Sequence, residues 1–162
     1  MYYRCQYNSP IGILTIASDG KHITGLWLEG QAYFADGHQD PLDMPDLGVF
    51  QAAKSWLNCY FSGQMPSCED LPLQPKGTLF QQKVWNILTR IPYGQTMTYS
   101  QIAAMLSETM SPQAVGGAIG RNPISIIIPC HRVLGSGGKL TGYAGGIERK
   151  QWLLRHEGSH FI

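Results

Sequence analysis

The sequence has no long hydrophobic run, since no apolar stretch approaches the roughly 20 residues that a membrane-spanning helix needs. Residues 1–6 also lack the basic-then-apolar layout with which a signal peptide begins. These two absences predict a cytoplasmic protein with no membrane association. An apolar share of 43% and a charged share of 14% in 162 residues are typical of a globular chain and exclude the disordered class.

Cysteine is scarce and scattered. The four cysteines are Cys5, Cys59, Cys68 and Cys130. A metal site needs cysteine and histidine clustered at ligand spacing, and the sequence contains no such cluster. Because a reducing cytoplasm favours free thiols over disulfides, the first three cysteines are interpreted as small buried apolar residues or as exposed thiols.

Charge is unevenly distributed along the chain. Residues 1–75 contain three Lys/Arg and eight Asp/Glu, whereas residues 76–162 contain nine Lys/Arg and three Asp/Glu. A basic C-terminal half is the electrostatic pattern expected of a segment that binds a polyanion such as nucleic acid. In a chain this short, chance can also produce such a division.

The N-terminal half predicts strands followed by one helix. Turn signals separate three β-rich runs, over residues 2–7, 11–17 and 22–28. Residues 30–46 predict a loop, and Asp46 is a candidate N-cap for the helix that follows. The apolar face of that helix would consist of Phe50, Ala53, Leu57, Tyr60 and Phe61. Three prolines then predict a linker near residues 64–76, so we expect domains at 1–75 and 76–162.

The C-terminal half predicts three short helices before the reactive segment. Thr78 and Thr98 are each followed three residues later by glutamine, which is typical of the capping box that begins a helix. Ser111 followed by Pro112 predicts the start of a third helix, which would end near Ile119. The second and third helices have the outline of a helix-turn-helix, although two helices that merely pack on a core would show the same spacing.

Cys130 follows three isoleucines, residues 126–128, which predict a strand buried on both faces. Pro129 would end this strand because proline cannot continue the hydrogen-bonded ladder. Cys130 would then emerge at the end of the strand. A lone cysteine after an apolar strand is more often a small buried residue than a nucleophile, so packing is the competing interpretation.

His131 is a candidate base for the Cys130 thiol. Neighbouring residues on an extended chain point to opposite sides, so a water molecule would have to carry the proton between them. A carboxylate is needed to orient the imidazole, and Glu157 is the best placed of the three acids in this half. Glu157 lies at the end of a helix predicted over residues 147–156, with Gly158 as its C-cap.

The motifs around Cys130 are similar to those of a known family. IPCHRV at residues 128–133 and TGYAGG at residues 141–146 resemble the bacterial O6-alkylguanine-DNA alkyltransferases, the methylated-DNA–protein-cysteine methyltransferase family. Further matches are AVGGA at 114–118, NPI at 122–124, WLLRHEG at 152–158 and FQQKVW at 80–85. The resemblance is strong from residue 76 to residue 158 and thinner before it.

This resemblance implies a mixed α/β (α+β) fold. An N-terminal ribonuclease-H-like domain would precede a C-terminal winged-helix domain, whose helix-turn-helix binds DNA and which also carries Cys130. The implied activity is DNA repair, in which the alkyl group of O6-alkylguanine or O4-alkylthymine moves irreversibly to Cys130 after the damaged nucleotide is flipped out of the duplex. Each molecule would act once, without cofactor or metal, as a monomer on double-stranded DNA.

The resemblance also implies roles for individual residues. Cys130 would be the nucleophile, with His131 as its water-mediated base and Glu157 orienting His131. Asn122 would brace the recognition helix against the active-site strand, and Tyr99 would donate a proton to guanine N3. The residues implied to form the base pocket are Val133, Tyr143, Ala144 and Gly145. The residues implied to contact DNA are Gln113, Ala114, Gly116, Ile119, Arg121 and Arg132.

Gln113 departs from the family pattern. The resemblance places an arginine here, which fills the gap left by the flipped base, whereas glutamine has no charge and a shorter reach. Base flipping is therefore expected to be weaker in this chain, unless Arg121 compensates from the far end of the helix.

Two other functions stay open at this level. A DNA-binding regulator would use the helix-turn-helix while Cys130 has only a structural role. A cysteine hydrolase would use Cys130 and His131 with repeated turnover. The hydrolase would also need an oxyanion hole, and no motif indicates one.

Overall fold

A computed structural model describes all 162 residues, which divide into two compact units. The first unit contains Met1–Lys76 together with Pro123–Ile127, and the second contains Gly77–Asn122 and Ile128–Ile162. The first is built on a sheet and the second is mainly helical, so the expected α+β organisation is confirmed. None of the helices combines the length and the apolar character that crossing a bilayer requires.

The sheet of the first unit has four strands in the order β3-β2-β1-β4. The strands are β1 (Tyr3–Ser9), β2 (Gly12–Ser18), β3 (Ile23–Leu28) and β4 (Leu42–Asp43). The first three are antiparallel neighbours, and β4 pairs with β1 in parallel. The three predicted strands are therefore confirmed to within two residues, whereas the short β4 lies inside the stretch that was expected to be loop.

Helix α1 (Gly48–Phe61) follows the sheet and buries an apolar face. The buried residues are Phe50, Ala53, Trp56, Leu57 and Tyr60. The prediction that Asp46 caps this helix is wrong, because Leu47 occupies the N-cap position and no side chain caps the helix there. Since the helix starts at Gly48, Asp46 lies one residue too early for its carboxylate to be the cap.

The second unit contains helices α2 (Leu79–Leu88), α3 (Tyr99–Leu106), α4 (Pro112–Gly120) and α5 (Ile147–His156). A parallel pair of short strands, β5 (Met97–Thr98) and β6 (Val133–Leu134), accompanies them. Both predicted capping boxes are present, and the Thr78 and Thr98 hydroxyls each accept from the backbone N–H three residues on, at 3.1 Å. Ser111 caps α4 as expected, with Pro112 in the first turn.

The strand predicted over residues 126–128 is wrong. All three isoleucines are buried, but the backbone turns twice. The Ile127 N–H donates to the Ser125 carbonyl at 2.8 Å around Ile126, whose φ of 71° is left-handed, and the Cys130 N–H donates to the Ile128 carbonyl at 2.8 Å. These are three-residue γ-turns. The run of isoleucines therefore predicted the burial correctly, but its backbone is not extended.

Candidate active site and nucleic-acid interface

Cys130 begins a single 3-10 turn, Cys130–Arg132, that leads into β6. It is only 4% exposed, yet it borders a cavity of about 210 Å³. The residues that line this cavity are Tyr99, Gly116, Ile119, Gly120, Cys130, Gly142, Tyr143 and Ala144. The α3–α4 pair and the segment before α5 therefore form the walls of a pocket with a thiol in it.

The environment of the thiol works against its ionisation. Burial raises the pKa of Cys130, while hydrogen bonding by Asn122 and the charge of Lys150 lower it only in part. Because the net shift is upward, the resting residue is a neutral thiol at pH 7. A thiol of this kind needs a base before it can attack.

Asn122 connects α4 to the reactive turn. It follows the C-cap residue of α4, is buried, and donates from Nδ2 to the Ile128 carbonyl at 2.9 Å. Since its side chain also hydrogen-bonds to Cys130, it fixes the thiol relative to the helix. The expected bracing position is thus present, although the segment that it braces is a turn and not a strand.

His131 and Glu157 form a buried pair beside Cys130. The Nε2 atom of His131 lies 2.6 Å from Oε2 of Glu157, and neither side chain has any exposed surface. With the imidazole proton on Nε2, facing the carboxylate, Nδ1 carries the lone pair. Nδ1 makes no hydrogen bond to a protein atom, so its lone pair is available to accept a proton.

Arg132 completes this buried cluster. Its Nε and Nη2 atoms donate to the two carboxylate oxygens of Glu157, at 2.7 and 3.2 Å, and Nη1 donates to the Ile91 carbonyl at 2.7 Å. The contact of Arg132 with DNA stays a prediction; in the structure its guanidinium binds these protein partners and the residue is 9% exposed. Arg132 therefore fixes the Glu157 carboxylate that holds the His131 imidazole.

The charges in this cluster follow from its contacts. Burial alone would raise the pKa of Glu157, but the attraction and hydrogen bonds of His131 and Arg132 outweigh burial and hold it far below its ordinary value. Burial lowers the pKa of His131 despite the opposing attraction of Glu157. We therefore assign a carboxylate at Glu157 paired with the Arg132 cation, and a neutral imidazole that can act as a base.

Lys150 is a site residue that the sequence analysis missed. It is 1% exposed and donates from Nζ to the Val133 carbonyl at 2.6 Å. Burial lowers its pKa to about 8, against the opposing effect of Cys130. A signal was available, because Lys150 lies three and four residues before Leu153 and Leu154, on the buried face of α5. A charged residue on a buried helix face needs an explanation, and proximity to the thiol provides one.

Replacing Lys150 by methionine should slow alkyl transfer roughly tenfold at pH 7, the equivalent of about one unit in the thiol pKa. The reason is that the thiolate loses the positive charge that lowers the pKa of Cys130. Because Lys150 loses its own proton near pH 8, the difference in transfer rate between wild type and Lys150→Met should decrease as the pH rises above 8. Single-turnover rates at pH 7 and pH 9.5 measure both effects. Lys83→Met, which removes an exposed charge from α2, is the matched control; an equally large loss with it would refute this role.

The pocket residues expected from the sequence divide into two groups. Tyr143 and Ala144 line the cavity, as does Tyr99, whose hydroxyl lies 3.0 Å from that of Thr141. Val133 and Gly145 are not part of the lining. The Val133 carbonyl accepts a hydrogen bond from the Lys150 ammonium.

The expected DNA-contacting residues lie along α4. Gln113 and Ala114 are exposed in its first turn, and Arg121 is exposed at its end. Gln113 lines an open groove of about 330 Å³ that shares Tyr99 and Gly116 with the Cys130 cavity. Ile119 is buried and lines the Cys130 cavity, so it does not lie on the exposed surface of α4.

The structure has no group of three or more His, Cys, Asp or Glu side chains that could hold a metal ion. The four cysteines are all free thiols, as expected.

Comparisons with known proteins agree with this geometry. The model of the 6-O-methylguanine DNA methyltransferase DNA-binding domain matches residues 79–159, and that of the ribonuclease-like domain of the same family matches residues 1–75. The methylated-DNA–protein-cysteine methyltransferase of Haemophilus influenzae is 42% identical over 160 residues, which are 99% of this chain and 88% of the relative.

Two solved structures from Mycobacterium tuberculosis are also similar. The O6-methylguanine methyltransferase superposes with a TM-score of 0.86 at 44% identity, over 98% of this chain and 93% of that chain. The OGT in complex with DNA gives a TM-score of 0.85 at 44% identity, over 97% and 92% of the two chains.

Proposed function

Because the chain belongs to the 6-O-methylguanine DNA methyltransferase family, we propose that it repairs alkylated DNA as a methylated-DNA–protein-cysteine S-methyltransferase. The substrate is O6-alkylguanine, and O4-alkylthymine as a second lesion, in double-stranded DNA. The observation that carries the proposal is the Cys130 thiol at a pocket wall, supported by the buried His131–Glu157 pair. A non-repairing DNA-binding regulator would have no use for such a supported base.

The transfer starts with the thiol proton. Nδ1 of His131 accepts this proton through a bridging water, and the Glu157 carboxylate stabilises the imidazolium that forms. The thiolate sulfur then attacks the alkyl carbon, so that an S–C bond forms as the O6–C bond breaks. The electron pair of the broken bond passes to the guanine ring, and the alkyl group stays on Cys130 as a thioether.

Tyr99 protonates the leaving group, which is the guanine base. Its hydroxyl lies at the cavity wall, where it donates a proton to guanine N3 as negative charge develops on the base. One proton leaves the thiol and one enters the guanine, so the overall reaction is neutral. Since a thioether is not reversed by any group in the site, each molecule acts once.

The damaged nucleotide reaches the pocket by flipping, because the O6 substituent is inaccessible inside the base stack. The exposed first turn of α4 and the groove beside it support binding of the duplex on this face. We assign the DNA-binding and alkyl-accepting functions to residues 76–162, with residues 1–75 as a separate ribonuclease-like domain. We propose that the protein works as a monomer in the cytoplasm, and the four free thiols agree with a reducing compartment.

Gln113, which stands where the family has an arginine, is expected to make base flipping less favourable. Gln113 and Arg121 lie at opposite ends of α4, about 12 Å apart along the axis at 1.5 Å per residue, which argues against Arg121 filling the same gap. We expect Gln113→Arg to raise the transfer rate on duplex DNA roughly 3- to 10-fold and to leave the rate on single strands unchanged. If Gln113→Arg and Arg121→Ala both repair duplex DNA at the wild-type rate, then neither weaker flipping because of Gln113 nor compensation by Arg121 is correct.

The function is tested by counting repaired bases. A duplex oligonucleotide carrying one O6-methylguanine is supplied in excess, and restored guanine is quantified over time. The proposal predicts a plateau at one guanine per protein molecule. Binding without any restored guanine would indicate the regulator, and continuous product release beyond one equivalent would indicate a turnover enzyme.

A further inference from the structure

We propose that Thr141 is a positioning residue for the proton donor Tyr99. Its hydroxyl donates a hydrogen bond to the Tyr99 phenol oxygen, which leaves the proton of the phenol free to point at the base in the cavity. The inference rests on the role proposed above for Tyr99 and adds a residue to which no role has been assigned.

The two hydroxyls meet from distant parts of the chain. Tyr99 is the first residue of α3, and Thr141 lies in the segment between β6 and α5. Their oxygens are 3.0 Å apart, within the range of an O–H···O hydrogen bond. Because Tyr99 also lines the cavity beside Cys130, Thr141 contacts the edge of the reaction site without lining it.

The side chain of Thr141 is held in one orientation. A methyl group built on Gly135 would lie 2.8 Å from Cγ2 of Thr141, so the threonine methyl packs directly against the Gly135 backbone. A β-branched side chain has few rotamers, and with its methyl fixed on one side the hydroxyl is aimed at Tyr99. Gly116 of α4 supports the phenol from another direction, since a methyl group there would lie 3.7 Å from the ring.

The direction of the hydrogen bond follows from proton counting. A phenol has one proton, and a phenol that gives this proton to guanine N3 cannot also give it to Thr141. Thr141 must therefore be the donor in the reactive arrangement. As the Tyr99 proton moves to N3, the phenol O–H bond breaks and its electrons remain on the phenol oxygen. The Thr141 hydrogen bond then becomes charge-assisted and roughly twice as strong.

An interaction that strengthens during the reaction affects the rate more than the binding of DNA. We therefore expect Thr141→Val to slow transfer roughly 3- to 10-fold, the usual worth of one such hydrogen bond. Its DNA affinity should equal that of wild type. Thr141→Ser, which keeps the hydroxyl, should recover most of the rate.

The experiment compares single-turnover rates for wild type, Thr141→Val, Thr141→Ser, Tyr99→Phe and the double variant Tyr99→Phe/Thr141→Val on duplex DNA with O6-methylguanine. In the absence of the phenol, Thr141→Val should cause no further slowing. The same series is measured on O6-methyl-3-deazaguanine DNA, which has no N3 acceptor, and there the effect of Thr141→Val should vanish. A purely structural threonine would slow both substrates and both backgrounds alike.

The outcomes separate this inference from the proposed function. If Tyr99→Phe is slow but Thr141→Val is as fast as wild type, the role of Thr141 is overturned while that of Tyr99 stands. If Tyr99→Phe is as fast as wild type, the acid role of Tyr99 fails, and Thr141 with it. Should Thr141→Val not fold, Gly135→Ala displaces the Thr141 side chain while keeping its hydroxyl; loss of rate that depends on Tyr99 supports the inference, and an unchanged rate overturns it.

Discussion

Replacing Glu157 by alanine should destabilise the protein by about 3–5 kcal/mol, because it leaves the Arg132 guanidinium buried without its counter-charge. The same change should slow alkyl transfer, since His131 loses the carboxylate that orients it and stabilises its protonated form. Urea unfolding and single-turnover kinetics measure the two effects. Glu157→Gln keeps the shape and one acceptor, so its stability should lie between those of wild type and Glu157→Ala.

The pH dependence of the free energy of unfolding tests the charge states assigned to His131 and Glu157. The pKa of His131 is held below its ordinary value of 6.5, so on acidification the imidazole is protonated in the unfolded chain before it is protonated in the folded protein. The free energy of unfolding should therefore begin to fall as the pH drops below 6.5. The pKa of Glu157 is held below 4.5, so its stabilisation is complete above pH 4.5 and is lost as the pH falls further. Glu157→Ala should not show the loss of stability below pH 4.5. A variant that retained the full acid sensitivity of wild type would contradict the assignment of charges.

Replacing Cys130 by serine should abolish alkyl transfer altogether and leave DNA binding intact. A serine hydroxyl is much harder to ionise than a thiol, and a neutral imidazole cannot make it a nucleophile strong enough for an alkyl carbon. The measurement is restored guanine after prolonged incubation, together with a binding titration on the same duplex. Cys59→Ser, which changes a half-buried thiol in α1, is the matched control and should repair at the wild-type rate. Repair by Cys130→Ser would place the nucleophile elsewhere.

Features encoded by neighbouring residues could be predicted from the sequence. The capping boxes at Thr78 and Thr98 and the cap at Ser111 need only a hydroxyl three residues before a backbone N–H, so their helices begin where they were expected. The position of Glu157 at the end of α5 also followed from local signals. The family motifs also predicted pocket residues such as Tyr143 and Ala144, which the hydrophobic periodicity of the sequence could not identify.

Features that depend on distant partners could not be predicted. Arg132 follows Cys130 and His131 in the sequence, where the motif predicts a DNA contact, yet the hydrogen-bond partners of its side chain are 25 and 41 residues away. Residues 126–128 have the composition of a buried strand, but Ile126 has a left-handed φ, and the Ser125 N–H just before it donates to the carbonyl of the distant Leu26 at 2.9 Å. The contact of Lys150 with the Val133 carbonyl and that of Thr141 with Tyr99 likewise appear only once the chain is folded.

Cys130 is proposed to be the permanent acceptor of the alkyl group. The most direct test is intact-mass spectrometry of the wild-type protein after incubation with O6-methylguanine duplex DNA, followed by peptide mapping. We expect a single gain of one methyl group, about 14 Da, located on Cys130 in every molecule that has repaired a base. Restored guanine with an unchanged protein mass, or a methyl group mapped to another residue, would contradict it.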